Sequence, residues 1–175
     1  PWFDFVVTDA HAFPSALEPY FAEKPLRLSS SFIPLTPDVD QPLTVNRAKY
    51  GLPNDGFVMA AFGNSYKFTP ELFGVWLELL NAIPHAVLWL VDDNPATTAN
   101  LKAFIYRHGA PMDRIMFTPR AHYEEYKQRL KLADVFLDTF PYNCGSTTNN
   151  VVQAGLPMVT LYGKTMVSRM GLSIL

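Results

Sequence analysis

The run Phe57-Val58-Met59-Ala60-Ala61-Phe62 is followed by the turn Gly63-Asn64-Ser65-Tyr66-Lys67, then by Thr69-Pro70-Glu71 and, further on, by Ala86-Val87-Leu88-Trp89-Leu90-Val91. The first and last of these are short, unbroken apolar runs, the pattern of strands buried on both faces. Between them stands a helix with an explicit start. Thr69 offers a capping hydroxyl, Pro70 suits the first helical position, and Glu71 puts an acid in the first turn. Leu72, Phe73, Trp76, Leu80 and Ile83 fall on one side of that helix, and Pro84 ends it. Residues 57–91 therefore read as a strand–helix–strand unit, the connection that parallel strands require.

The same alternation continues downstream. Leu101, Phe104, Ile105 and His108 recur at helical spacing, and Gly109 stands where a left-handed cap belongs. Residues 114–117 read as a strand, 122–132 as a helix, 135–137 as a strand, 146–154 as a helix and 158–162 as a strand. A short helix over 45–50, stopped by Gly51 and Pro53, leads into the unit. The succession predicts an α/β fold with a parallel sheet covered by helices on both faces. Upstream, residues 3–9 form a strand pattern, and Ser15 with Glu18 has the spacing of a capping box. Residues 24–42 hold Pro25, Pro34, Pro37 and Pro42, which exclude a helix and mark a linker. The chain opens on Pro1 without an initiator Met and closes in an apolar helix pattern with no stop signal, so both edges read as cut from a longer protein.

Composition narrows the function classes. With 49% apolar and 17% charged residues in 175, the chain has the balance of a globular domain and enough length for a core. Fourteen Lys and Arg stand against 16 Asp and Glu, for a net charge of −2, which offers no footprint for a nucleic acid or an anionic membrane. A single cysteine, Cys144, can close no intrachain disulfide and build no thiolate zinc cage. No apolar run is long enough to span a bilayer, and a cytoplasmic location is the expectation.

An open, doubly wound sheet takes its ligands outside the carboxyl ends of its strands. The loops at those ends are 63–67, 92–95, 118–120, 138–145 and 163–165. Loop 138–145 runs through Gly145 into the hydroxyl-rich helix start Ser146-Thr147-Thr148. Free N–H groups and the positive end of a helix dipole make an anion site there; a plain cap by Ser146 or Thr147 is the equal alternative. Lys67 can balance a diphosphate or simply be solvated. Asp92-Asp93-Asn94 admits a metal reading, but no third acid or His completes a cage, and acids before Pro95 suit a helix start. Arg129 and Glu125 are spaced as a surface ion pair, His85 and His108 as packing residues, and His11 and His122 as surface residues near loop ends. Gly163-Lys164-Thr165 lacks the first glycine of a phosphate loop, and no G-x-G-x-x-G follows a strand, which disfavours triphosphatases and dinucleotide enzymes.

Six segments, 63–67, 88–90, 114–119, 132–139, 154–160 and Ser168-Arg169, resemble in order and spacing the catalytic region of O-linked N-acetylglucosamine transferases, and Val7-Thr8-Asp9 with Glu23-Lys24 is similar to the same family further upstream. The resemblance implies the Rossmann-like C-terminal lobe of a two-lobed GT-B glycosyltransferase, covering residues 44–175, preceded by the end of the first lobe and a linker over 1–43. By position it implies Lys67 on the diphosphate, Asn64 beside the sugar nucleotide, Ala121 (through its backbone) and Arg129 on uracil, and Ser146 and Thr147 on the phosphates. Asn150 stands where the family commonly has an aspartate for the ribose hydroxyls; its amide oxygen accepts without charge assistance. Tyr123 and Tyr126 replace a lysine and a histidine, and Gly145 another histidine.

The implied activity is metal-independent, inverting transfer of N-acetylglucosamine from UDP to Ser or Thr hydroxyls of a protein acceptor, with no cofactor beyond the UDP-sugar donor. Asp9 is the candidate for orienting the acceptor or assisting its proton, and Lys67 for stabilising the departing diphosphate. Another donor, GDP-fucose or UDP-glucose, and a catalytically silent nucleotide-binding module are the alternatives. A parent carrying tetratricopeptide repeats is the family's habit. Cys144, next to the anion site, is expected to be partly accessible and shielded by UDP.

Overall fold

A computed structural model describes residues 2–34 and 42–175; residues 35–41 of the expected linker lie outside the described residues. The strands are β1 (Phe5–Asp9), β2 (Lys24–Leu28), β3 (Phe57–Ala61), β4 (Ala86–Asp92), β5 (Ile115–Pro119), β6 (Val135–Leu137) and β7 (Met158–Val159). The α-helices are α1 (Pro70–Ala82), α2 (Pro95–Arg107), α3 (Tyr123–Leu130), α4 (Ser146–Gln153) and α5 (Met170–Ile174), with short 3-10 turns between them. β3 to β7 form a parallel sheet in the order β5-β4-β3-β6-β7, while β1 and β2 pair in parallel by themselves.

The order puts the topological switch beside β3: the chain first adds β4 and β5 on one side, then returns to lay β6 and β7 on the other. Alternation along the buried strands divides the core in two. Val58, Ala60, Phe62, Val87 and Trp89 pack with Leu130 of α3 and Val151 of α4. Met59, Ala61, Leu88 and Leu90 pack with Phe73, Trp76, Leu77 and Leu80 of α1 and Ile105 of α2. Trp89 is fully buried, and its indole N–H is satisfied by Thr118 Oγ1 at 3.0 Å. The start read at Thr69 is present, its Oγ1 accepting from Leu72 N; before Pro95 the cap is Asn94, whose Oδ1 accepts from Thr97 N, and not one of the acids. Gly51 and Gly109, at φ 69° and 62°, take the left-handed conformation that ends a helix.

Several local expectations are corrected. Lys24–Leu28, expected to be linker, is strand β2; Pro25 is tolerated because β2 pairs on one side only. The capping box at Ser15 does not form: Ser15 is already the first residue of a 3-10 helix whose cap position is Pro14, and Glu18 instead pairs with Arg27 at 2.5 Å. β7 ends at Val159, since Thr160 turns its hydroxyl onto Asp138 Oδ2 at 2.6 Å. His85 and His108 are exposed, the latter stacked on Phe104, so neither belongs to the core. Among the described residues no helix is long and apolar enough to cross a membrane.

Candidate functional site

Past the carboxyl ends of β3, β4 and β5 lies a cleft of about 350 Å³. Asn64 and Ala121 enter it from strand-end loops, Arg129 from α3, and Thr147 and Asn150 from α4. Strands separated in sequence thus bring together residues that share no local motif. Phe62, Arg120, Tyr123 and Tyr126 complete much of the wall. Gly63 lets the β3 loop approach the loop after β6, because a Cβ there would stand 2.9 Å from Thr139 Cγ2 and 3.1 Å from Cys144 Sγ.

The start of α4 has no side-chain cap: Gly145 occupies the cap position, so the alternative of a plain cap by Ser146 or Thr147 is not met. Thr148 turns its hydroxyl back to Cys144 O at 2.7 Å. First-turn N–H groups without a side-chain cap, at the positive end of a helix dipole, favour an anion. Ser146 is exposed at that start but does not wall the cleft. Lys67 does not wall it either; its Nζ donates to Asn143 O at 3.0 Å and lies 3.8 Å from the centre of the Tyr142 ring, on the loop that leads into α4.

Arg129 is not the surface partner expected. It is buried, with Nη1 donating to Pro119 O at 2.6 Å and Nη2 to Glu125 at 3.0 Å, and its Nε has no hydrogen-bond partner. Glu125 also accepts from Tyr50 OH at 2.7 Å and Lys49 Nζ at 3.1 Å; the Tyr50 bond first, then Arg129 and Lys49, hold its carboxyl down at about 2. Burial pushes the Tyr126 phenol up. Its hydroxyl stands near Thr147 and Asn150, yet no hydrogen bond of good geometry completes it. Asn150 Oδ1 accepts from Tyr123 OH at 2.9 Å.

Asp9 stands elsewhere, on a second cavity of about 860 Å³ between β2, α5 and the 29–34 segment. Its Oδ1 accepts from His11 N and Ala12 N, both at 2.8 Å, and its Oδ2 from Phe32 N at 2.9 Å and Ser173 Oγ at 2.5 Å. Burial pushes this carboxyl up, but the four donors, Ser173 foremost, outweigh it and hold the pKa below the ordinary value. A carboxylate so occupied is a poor proton acceptor; it ties β1 to α5 and is suited to positioning. Cys144 is buried, and burial raises its thiol to about 11, so the expected partial accessibility is corrected: the thiol faces Thr139 inside the core.

The acids at the end of β4 and just after it are also spent locally. Asp92 accepts from Thr98 Oγ1, Asn94 caps α2, and Asp93 holds Arg120 and Ser65. No group of three His, Cys, Asp or Glu suited to a metal ion stands among the described residues.

A parallel sheet covered on both faces, with a cleft at its carboxyl ends beside the switch in strand order, defines a Rossmann-like α/β lobe. The profile of Glycosyl transferase family 41 matches residues 36–175, and the chain belongs to that family. It is 32% identical, over 99% of its length and 18% of the relative's, to the probable UDP-N-acetylglucosamine–peptide N-acetylglucosaminyltransferase SEC of Arabidopsis thaliana. It is 33% identical to the Caenorhabditis elegans UDP-N-acetylglucosamine–peptide N-acetylglucosaminyltransferase, over 75% of its length and 11% of the relative's. Among solved structures, a mutant of Thermobaculum terrenum O-GlcNAc transferase superposes at a TM-score of 0.85 with 29% identity, over 98% of this chain and 32% of that one. Sucrose-phosphate synthase of Thermosynechococcus elongatus, at 0.63 and 16% identity over 89% and 40%, shares the fold. The chain spans less than a fifth of the length of the curated relatives named here.

Proposed function

We propose that the protein containing this chain transfers N-acetylglucosamine from a UDP-linked donor to Ser or Thr hydroxyls of proteins, with inversion and without a metal. The observation that carries the reading is the convergence of Asn64, Ala121, Arg129, Thr147 and Asn150, residues expected on a UDP-sugar, around one cleft in a chain of family 41. The names of the relatives favour N-acetylglucosamine over GDP-fucose or UDP-glucose. Residues 44–175 form the nucleotide-sugar lobe in this reading, and residues 1–43 the end of the lobe before it.

As the bond to the sugar breaks, negative charge grows on the diphosphate. The uncapped start of α4, with Ser146 and Thr147, and the Lys67 ammonium beside it are preorganised donors for that charge. Asp9 positions rather than deprotonates, since its lone pairs are taken. The test is the thermal midpoint of the full-length protein with UDP in EDTA and in Mg²⁺. Saturation at a hundredfold excess over Kd adds about 2.7 kcal/mol, and the rise is expected equally in both buffers. Lys67→Ala is expected to lower turnover and weaken UDP while sparing uridine. A rise seen only with Mg²⁺ overturns the metal-independent reading.

A further inference from the structure

The ends of β3, β4 and β5 are joined by a polar network of which the reading above uses only Asn64. Arg120, the residue after β5, donates Nε–H to Asp93 Oδ1 at 2.6 Å and Nη2–H to Asn64 Oδ1 at 2.8 Å; Ser65 Oγ donates to Asp93 Oδ2 at 2.8 Å. Arg120 and Asn64 both wall the cleft. Two arginines therefore face the same space, and their states differ. Arg129 is buried, with its charge met by Glu125 and two of its nitrogens held by protein acceptors. Arg120 has a side chain 58% exposed, and among the described residues no protein acceptor meets its Nη1. A guanidinium fixed at one edge, with its other edge open to a cleft, is built to receive an oxyanion in a forked geometry. Asn64, which accepts from Arg120, lies three residues before Lys67 in the same turn.

We propose that Arg120 is a binding residue for the phosphate-bearing end of the nucleotide sugar, with Asp93 the counter-ion that holds its guanidinium across the mouth of the cleft. The assignment rests on the nucleotide reading and deepens it. It also supplies a cation on a wall where Tyr123 and Tyr126 contribute none. Asp93 has two opposite effects: it orders the arginine, and it cancels part of the charge that an incoming phosphate meets. Neutralising Asp93 as an amide, which keeps an oxygen acceptor for Arg120, and removing Arg120 should therefore shift phosphate binding in opposite directions, and neither shift should appear with a nucleoside.

The experiment is calorimetric titration of the full-length protein with UDP and with uridine at low and moderate salt. Arg120→Ala is expected to weaken UDP by roughly tenfold, the scale of a lost charge-assisted hydrogen bond, and to flatten its salt dependence. Uridine should stay within about twofold. Asp93→Asn should tighten UDP by about threefold and leave uridine unchanged, a gain that damaged folding cannot produce. Asp92→Asn, one residue away and outside the network, should give a smaller gain. UDP binding that is unchanged in both Arg120→Ala and Asp93→Asn, or a loss of uridine equal to that of UDP in Arg120→Ala, overturns the assignment while leaving the nucleotide reading in place. Absence of UDP binding by the unmodified protein overturns both.

Discussion

At the scale of single residues, burial decides what a reactive group can do. Cys144 illustrates this: its thiol sits in the core with its pKa raised to about 11, so almost no thiolate exists at neutral pH. Native protein should therefore react negligibly with iodoacetamide, with or without UDP, and react fully once unfolded; mass spectrometry of the labelled chain checks both. Rapid native labelling that UDP slows would restore the thiol to the site. Arg129 teaches the same lesson for charge. Its spacing from Glu125 reads as an ordinary i, i+4 pair, but the side chain is enclosed by β5 and the 3-10 turn at Arg47–Tyr50. Spacing reports a neighbour on the same helix and says nothing about what the fold lays over it.

At the scale of elements, the caps that the sequence announces are measurable contributions. Thr69→Ala removes the bond that Thr69 Oγ1 accepts from Leu72 N at the start of α1. The expected loss is about 1 kcal/mol in a denaturant melt, with the nucleotide affinity unaffected. The junction of α3 with the 3-10 turn at Arg47–Tyr50 is expected to weaken in acid. Glu125 has a folded pKa of about 2 against an ordinary 4.5, so its stabilisation is complete above 4.5 and is lost as pH falls toward 2. Glu125→Gln should lower the thermal midpoint at neutral pH and flatten its slope between these values. A variant whose acid transition keeps the parent slope would show that other carboxylates govern it.

At the scale of the molecule, Asp9 links the β1–β2 sheet to α5, and Arg169 Nε adds a bond to His11 O across the same seam. Asp9→Asn places an amide NH₂ against a donor in at least one of its contacts, leaving a buried mismatch. A loss of about 1–3 kcal/mol in global stability is expected, measured by chemical denaturation. Ser173→Ala should cost less and be strongly coupled to it in a double-mutant cycle. If Asp9→Asn instead abolishes turnover with stability intact, Asp9 is a proton acceptor and its hydrogen bonds are not structural. With the carboxyl held below its ordinary value, this contribution too is present at neutral pH and lost on acidification.

The alternation of buried strands with amphipathic helices was legible residue by residue, because periods of two and 3.6 are local properties of the backbone. So were the cap at Thr69 and the left-handed glycines Gly51 and Gly109. The family resemblance, and not spacing, named Asn64, Ala121, Arg129, Thr147 and Asn150, which wall one cleft, and also Lys67 and Ser146, which do not. Which loops meet was settled by the strand order, in which β3 lies between β4 and β6 although β6 follows β5 in the chain. That order set Arg120 against Asn64, 56 residues away, and the packing of the β1–β2 pair on α5 set Asp9 against Ser173, 164 residues away. Contacts at such separations leave no periodic trace in the chain. They exist only once the hydrophobic faces of the sheet have been covered, so packing decided them, while the local pattern decided the elements that were packed.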